Sequence, residues 1–170
     1  MHTELKALAA IALLGLAGCE LRNQEAKQEA NAAASTEPMI VRTAVDSTLQ
    51  WSACPAPLPA GCELAVLHGD PAKPNTDALL RVPAGYAIPP HTHPKPEIVT
   101  IISGTFILGM GNVADKAKAK PLPAGSFFAF EPGMAHYAFT DEETVVQINS
   151  TGPWGVDYVN PKDDPRQKAK

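Results

Sequence analysis

The sequence predicts an all-β protein, an antiparallel sandwich or barrel of about eight short strands. The chain of 170 residues contains 17 prolines and 12 glycines, many of which form clusters after residue 63. Between these clusters lie short runs rich in β-branched and aromatic residues, and no apolar segment there keeps a helical period over three turns. This combination favours short strands and tight turns over long surface helices.

The predicted strands follow one another at short intervals, and each ends at a cluster of turn residues such as Gly69-Asp70-Pro71 or Pro132-Gly133. The stretch 113–120 is rich in Ala and Lys and predicts a turn of helix or a loop over one end of the barrel. The strands are expected at 64–67, 78–82, 98–102, 106–110, 127–130, 137–139, 145–149 and 156–159.

The composition indicates one globular domain and gives no electrostatic reason to expect a nucleic-acid partner. Hydrophobic residues make up 45% of the chain, which is enough to form a buried core, so wholesale disorder is excluded. The net charge is -4, whereas proteins that bind nucleic acid usually carry a basic surface. We therefore expect a small molecule as the ligand or substrate.

Residues 1–18 resemble the signal peptide of a bacterial lipoprotein. An apolar run at 7–17, too short to span a bilayer, follows Lys6 and ends in Leu16-Ala17-Gly18-Cys19, which is similar to a lipobox. The resemblance implies that Cys19 is lipidated after cleavage, and Glu20 behind it favours the outer membrane. We expect an exported protein on the periplasmic face of the envelope, held by its lipid alone. A plain signal peptide with a chance cysteine, or an amphipathic leader, is the alternative.

Two segments outside the predicted barrel lack the pattern of folded structure. Residues 19–48 begin with a stretch of Glu, Gln, Asn, Lys and Ala without an apolar period, which predicts a flexible tether after the lipidated cysteine. Residues 162–170 are charged and predict a disordered tail. The barrel itself is expected at 49–161.

Cys54 and Cys62 predict a disulfide that closes a short, proline-rich loop. If Cys19 is lipidated, these two cysteines remain, and an even pair in an exported protein is typical of a disulfide. Two free buried thiols or half of a zinc site are the alternatives, although no further cysteine exists to complete a zinc site.

The chemistry of the chain is concentrated around four residues. His91 and His93 are two apart, so on an extended segment both imidazoles leave the same face, and Glu97 keeps the same parity. A second stretch can deliver His136 from a facing strand. Imidazoles and a carboxylate that converge are ligands for a divalent first-row metal, here Fe, Mn, Ni, Zn or Cu.

The two stretches resemble the two sequence motifs of the cupins. The second motif departs from the pattern at Pro132, which lies one position late, and at Thr140, which replaces the usual asparagine. The resemblance covers residues 49–161 and extends to small exported single-domain bacterial cupins. The matching residues are Gly85, His91, His93, Glu97 and Gly104 in the first motif and Gly125, Gly133 and His136 in the second.

The resemblance implies a single-domain double-stranded β-helix, a jelly-roll-like barrel. It also implies one divalent metal ion inside the barrel, held by His91, His93, Glu97 and His136. Cupins often pair through their sheet edges, so a homodimer is expected.

Strand alternation indicates which side chains surround the metal. If Glu97 points inward, Val99 and Ile101 do too, and they form an apolar wall beside the metal. Gln147 and Asn149 share one face of their strand and are expected to line a polar pocket, with orientation towards solvent as the alternative.

Other polar and aromatic residues are expected to support the metal site or the packing of the barrel. Tyr86 and Tyr137 flank the motifs and are candidate catalytic-site donors to a ligand or to the carboxylate. Trp51 and Trp154 are expected to pack at the barrel rim, and His68 to lie in a turn or at the surface.

Four protein ligands leave one or two positions open on a metal that prefers five or six, so a substrate or O₂ can bind there. The first functional hypothesis is an oxygenase-like metalloenzyme that acts on a small molecule, in which Glu97 is a ligand and also a base. The second is a non-redox isomerase or lyase, and the third is a non-catalytic module of the cell envelope that binds a metal or small ligand. The fold does not choose among them.

Overall fold

The structure is a computed structural model that describes residues 40–43 and 47–168. The predicted signal peptide and Cys19 lie outside the described residues, and so does the predicted tether except for 40–43 and 47–48. None of the helices in the described part is long and apolar enough to cross a membrane.

Two antiparallel sheets make up the described part of the chain. The six-stranded sheet has the order β1-β2-β3-β10-β5-β8 and the five-stranded sheet the order β11-β4-β9-β6-β7. Two 3-10 turns, Lys116–Lys118 and Pro161–Asp163, and a short helix, Pro165–Lys168, complete the secondary structure described. The strands are β1 (Ser52–Ala53), β2 (Glu63–His68), β3 (Thr76–Val82), β4 (Ala87–Thr92), β5 (Glu97–Ser103), β6 (Thr105–Met110), β7 (Lys120–Pro123), β8 (Phe127–Phe130), β9 (His136–Phe139), β10 (Thr144–Ser150) and β11 (Asp157–Tyr158).

The all-β prediction is confirmed, and each of the eight predicted strands corresponds to an observed strand. Of the strands that the sequence did not predict, β4 and β7 each contain two prolines, which lack the amide proton that a sheet ladder needs. In β4 the ladder to β9 is interrupted between Ile88 and His91, where the two prolines lie, and β7 is an edge strand. Proline in a sequence argues against a strand, so these two strands were not predicted. An interrupted ladder and a sheet edge both accept proline, which is why the strands form there.

The main core lies between the two sheets. In β10 every second residue is buried, so one face of the strand packs inward. Burying a large apolar side chain contributes about 1.5–3 kcal/mol, and this core combines many of them. It includes Leu80, Val99, Ile101, Val146 and Ile148 from the six-stranded sheet and Ile88, Phe106 and Ala138 from the other.

The link from β4 to β5 determines how the functional side chains meet. β4 ends at Thr92 in the five-stranded sheet, and β5 begins at Glu97 in the six-stranded sheet. The four residues between them, which include Pro94 and Pro96, therefore cross from one sheet to the other. The prolines favour this crossing because they cannot continue a ladder.

A disulfide joins Cys54 to Cys62, whose Cα atoms are 5.4 Å apart. The loop that it closes, residues 54–62, precedes β2 and is pinned at its base by the amide of Cys54, which donates to the carbonyl of Cys62 at 3.0 Å. Cys54 and the loop residue Leu58 pack against the main core.

The C-terminal segment differs from the predicted disordered tail, since residues 161–168 form the second 3-10 turn and the short helix. Asp164 is 8% exposed, and its carboxylate accepts hydrogen bonds from Arg166 Nε at 2.9 Å and Nη2 at 2.7 Å. Arg166 Nη2 also donates to the carbonyl of Val156 at 3.3 Å. The charges that suggested disorder instead pair with each other and attach the segment to the barrel.

Candidate metal centre

His91 and His136 face each other across a strand pair within one sheet. His91 on β4 is directly opposite His136 on β9, and their ring centroids are 4.2 Å apart. Each residue is only 3% exposed. His136 therefore comes from the neighbouring strand of the same sheet and not from a strand of the opposite sheet. The parity of a strand determines its faces but not which strand becomes its neighbour.

His93 and Glu97 complete the cluster from either side of the sheet crossing. His93 lies one residue beyond β4, and Glu97 is the first residue of β5 in the opposite sheet. The expectation that all three residues leave one sheet face is wrong because the chain crosses between the sheets at Pro94–96. The carboxylate consequently approaches the imidazoles from across the barrel.

The three imidazoles are close enough to share one metal ion, and the Glu97 carboxylate lies beside two of them. The ligand nitrogens of His91, His93 and His136 all lie within 4.8 Å of one another. Glu97 Oε2 is 3.3 Å from His93 Nε2 and 3.7 Å from His136 Nε2. Three imidazoles and one carboxylate form a mixed N/O donor set of the kind that first-row divalent metals accept.

A backbone carbonyl orients each imidazole ring through its Nδ1 atom. A carbonyl oxygen can only accept, so each Nδ1 carries the proton and each Nε2 presents its lone pair. Carbonyl partners of this kind fix the tautomer of metal-binding histidines in many proteins. The pairs are His91 with Pro89 at 2.7 Å, His93 with Gly155 at 2.7 Å, and His136 with Met134 at 3.0 Å.

Burial keeps the imidazoles of His91 and His136 in the neutral state that a cation requires. It lowers the pKa of His91 to about 3 and that of His136 to about 4, in both cases chiefly because the charged ring loses its hydration. Neutral imidazoles are the form that binds metals. Burial also raises the pKa of Glu97, which shows how poorly this pocket accepts an uncompensated negative charge.

His93 Nε2 gives the most direct test of whether a metal fits. It is buried and has no hydrogen-bond partner in the described part of the chain. Its lone pair faces the oxygen of Glu97, and two acceptors that face each other in a buried site lack a donor or a cation between them. A divalent ion between them resolves this conflict, so these residues fit a metal ion.

A cavity of about 80 Å³ opens beside the cluster and is walled mainly by apolar side chains. Val99 lines it as predicted, whereas Ile101 is buried in the core and is not among the lining residues. Lys95 and Ser150 are the polar lining residues besides the metal-binding cluster and Trp154. The apolar walls include Leu58, Leu80, Ile88, Phe106, Phe128, Val146, Ile148 and Val156.

The predicted polar lining by Gln147 and Asn149 is wrong. Asn149 instead donates through Nδ2 to Asp77 Oδ1 at 2.7 Å, on the opposite face of the sheet. Val146 and Ile148 line the cavity because Ile148 is directly opposite the inward Val99 in the ladder, and opposite residues share a face.

The predicted roles of Tyr86 and Tyr137 as donors at the metal site are also wrong. The hydroxyl of Tyr86 donates to the carbonyl of Pro59 at 2.5 Å and lies 3.1 Å from Cys62 Sγ. The hydroxyl of Tyr137 donates to the carbonyl of Asp115 at 3.0 Å. Both phenols are therefore committed to backbone groups away from the imidazoles.

Sequence reasoning missed two residues of the cavity wall. Trp154, predicted as a packing group at the rim, lines the cavity, and its indole Nε1 is buried without a partner among the described residues. Leu58 lies in the proline-rich loop, where no periodicity indicates a direction. The hydrogen bond between His93 and Gly155, next to Trp154, is one contact that attaches this segment to the site.

Comparison with known proteins agrees with this architecture. A family model described as the ChrR cupin-like domain matches residues 39–155 of the chain. Among curated proteins, the chain is 35% identical over 63 residues to germin-like protein 9-3 of Oryza sativa subsp. japonica. This match covers 36% of the chain and 29% of the rice protein, so the chain spans less than a third of that plant relative.

Solved structures are similar at the level of the fold. The polyketide cyclase RemF from Streptomyces resistomycificus superposes with a TM-score of 0.61 at 15% identity, covering 77% of this chain and 93% of the cyclase. An RmlC-like cupin from Ralstonia eutropha JMP134 gives 0.53 at 21% identity, covering 74% and 76%. At such identities the likeness shows the cupin jelly-roll fold.

Proposed function

Because the chain belongs to the cupins through the ChrR cupin-like family, we propose that it is a metalloenzyme with oxygenase-like activity on a small molecule. One observation carries the proposal. Backbone carbonyls hold the Nδ1 atoms of three imidazoles. The Nε2 atoms of these rings lie close together near Glu97 Oε2, beside an apolar cavity.

His91, His93, His136 and Glu97 would hold the ion, which we expect to be iron, manganese, nickel, copper or zinc. A redox-active ion of this set would supply open coordination positions at which a small molecule and O₂ could be activated. The carbonyls of Pro89, Met134 and Gly155 prevent ring rotation and so keep the lone pairs directed at one point.

The cavity walls select the substrate and exclude water. Phe128, Phe106 and Ile148 offer apolar surface, so a compact molecule with an apolar body and a metal-binding oxygen or sulfur is the best fit. Glu97 is the only carboxylate in the described lining, and it is therefore the group that can accept a proton released by the substrate.

The same lining offers an isomerase or lyase few acid–base groups besides Glu97 and the metal. Such reactions require an acid and a base placed beside the substrate. Apart from the ligand cluster, Lys95 and Ser150 are the titratable or hydroxyl groups described in the lining, and the hydroxyl of Ser150 donates to the carbonyl of Pro96 at 3.3 Å. Lys95 is exposed, so neither is a strong candidate for proton transfer.

The test begins with elemental analysis of protein purified without oxygen. Iron-loaded protein is then assayed for O₂ consumption with a panel of phenols, thiols and 1,3-diketones. We expect one metal ion per chain and uptake of O₂ with at least one compound. Stoichiometric zinc together with no O₂ uptake across the panel would instead support a non-catalytic binding protein.

We further propose that the protein is exported and anchored through Cys19. The lipobox-like Leu16-Ala17-Gly18-Cys19 supports this proposal. Incorporation of labelled palmitate into the full chain, and its loss in Cys19→Ser, is the expected result. Label retained in the variant would contradict it, and Cys54→Ser serves as the control for a cysteine elsewhere in the chain.

A further inference from the structure

The loop closed by Cys54 and Cys62 supplies part of the wall of the metal pocket. Leu58, near the middle of this loop, lines the cavity together with Trp154 and the imidazoles. Leu58 is partly buried and packs against the main core. A segment that precedes the barrel strands β2 to β11 therefore contributes to the size of the space beside the metal ligands.

Two tyrosines hold the loop on either side of Leu58. The hydroxyl of Tyr158 donates to the carbonyl of Pro57 at 2.8 Å, and that of Tyr86 donates to the carbonyl of Pro59 at 2.5 Å. Tyr158 is also directly opposite the ligand His91 in the β11–β4 ladder. The position of Leu58 is thus tied to the strand that carries a metal ligand.

The remaining attachment of the loop depends on its disulfide. Residues 55–61 contain three prolines and no charged residue, so the loop has few amide protons and no ion pair to hold it. Its described backbone hydrogen bonds, from Cys54 to Cys62 and from Leu58 to Pro55, are internal. A short covalent closure restricts such a segment more than these bonds do.

We infer that Leu58 is a specificity-determining residue that limits the size of the molecule admitted to the metal pocket, and that the Cys54–Cys62 disulfide holds it there. The relevance of Leu58 to substrate choice rests on the proposed function, whereas the control that Leu58 exerts over access to the cavity does not. With the disulfide open, only the two tyrosine hydrogen bonds and apolar packing hold Leu58, so the loop opens more often and admits larger molecules.

Reduction by a dithiol is the chemical step that opens the loop. A thiolate of the dithiol attacks one sulfur, and the Sγ–Sγ bond breaks through a mixed disulfide. The second thiol of the reductant then closes a cyclic disulfide. Cys54 and Cys62 each gain one electron and one proton and become free thiols.

Fluorescence quenching of Trp154 tests the inference without any metal. The chain has two tryptophans, so Trp51→Phe leaves Trp154 as the only emitter, inside the cavity. Quenching by acrylamide and by the larger succinimide is measured in the Trp51→Phe protein before and after treatment with dithiothreitol. The same quenching is measured after Leu58→Ala is added to this background. Leu67→Ala, which truncates a partly buried leucine of the separate cluster around Leu49, is the matched control.

We expect the succinimide quenching constant to rise at least about twofold in Leu58→Ala and after reduction, with a smaller change for acrylamide and none in Leu67→Ala. Equal constants in Leu58→Ala and its background overturn the role of Leu58. Equal constants before and after reduction overturn the role of the disulfide.

Two further measurements keep these outcomes distinct. Circular dichroism of the reduced chain checks that the barrel persists, and Leu58→Val replaces the alanine variant if that variant does not fold. Binding of Co²⁺ by the wild-type protein is followed separately. Absence of Co²⁺ binding contradicts the proposed function, whereas the quenching data decide the inference about the loop in either case.

Discussion

His93 Nε2 and Glu97 Oε2 lie 3.3 Å apart although they come from opposite sides of a sheet crossing. Both atoms are acceptors when His93 carries its proton on Nδ1, as its bond to Gly155 indicates. A cation between them would join the two sheets at the point where the chain passes from one to the other. Metal binding and barrel stability should therefore be linked.

Added metal should raise the unfolding temperature of the metal-free protein. At a free metal concentration about 100 times Kd, the expected stabilisation is about 2.7 kcal/mol. Differential scanning calorimetry with Co²⁺ and with a chelator measures it. His136→Ala should lose the effect, while His68→Ala, which alters an exposed histidine outside the cluster, should retain it. Stabilisation that persists in His136→Ala would contradict the site.

Glu97→Gln should weaken metal binding and stabilise the metal-free protein at neutral pH. The amide keeps the size of the side chain but removes a buried charge that faces a lone pair, a change expected to add about 1 kcal/mol to the free energy of unfolding. Urea unfolding and Co²⁺ titration measure the two effects. A variant that loses stability without metal would show that the carboxylate is compensated by another group.

Ile148→Ala should destabilise the fold by about 2–5 kcal/mol, because Ile148 packs inward opposite Val99. The neighbouring Gln147→Ala should change stability by less than about 0.5 kcal/mol, because its side chain lies on the other face. Urea denaturation of both variants provides the comparison. Similar losses in the two variants would be inconsistent with the observed orientation of β10.

The C-terminal segment should loosen in acid. Hydrogen bonds from Arg166 lower the pKa of Asp164 below its ordinary value of 3.8. The stabilisation is therefore present above pH 3.8 and is lost as the pH falls further, when the folded carboxylate becomes protonated. Limited proteolysis with an acid-tolerant protease, followed as the pH is lowered to values below 3.8, should show faster cleavage of the segment in acid.

Arg166→Ala should remove this pH dependence and expose the segment at every pH. Lys162→Ala removes a positive charge from an exposed residue of the adjacent turn and serves as its control. Cleavage of Arg166→Ala that still varies with pH as in the wild type would indicate that Asp164 is not the responsible group.

Several features could be predicted from local pattern. The turn clusters and the β-branched runs indicated eight strands, because alternation and turn residues act over a few positions. The types and closeness of His91, His93 and Glu97 indicated a metal site, although the alternation that assigned all three to one sheet face did not hold. Strand β4 was missed because its two prolines argue against a strand. The tertiary structure accepts them because the ladder from β4 to β9 is interrupted where they lie.

The sequence by itself determined eight of the strands, the types of ligand and the presence of a loop that two cysteines could close. Only the tertiary structure decided that Glu97 enters from the opposite sheet, that His91 is the direct neighbour of His136, and that β10 presents Val146 and Ile148 to the cavity. It also brought Leu58 and Trp154 to the pocket. The physical reason is that strand pairing joins residues far apart in the chain, and packing across the barrel selects the partner and the face.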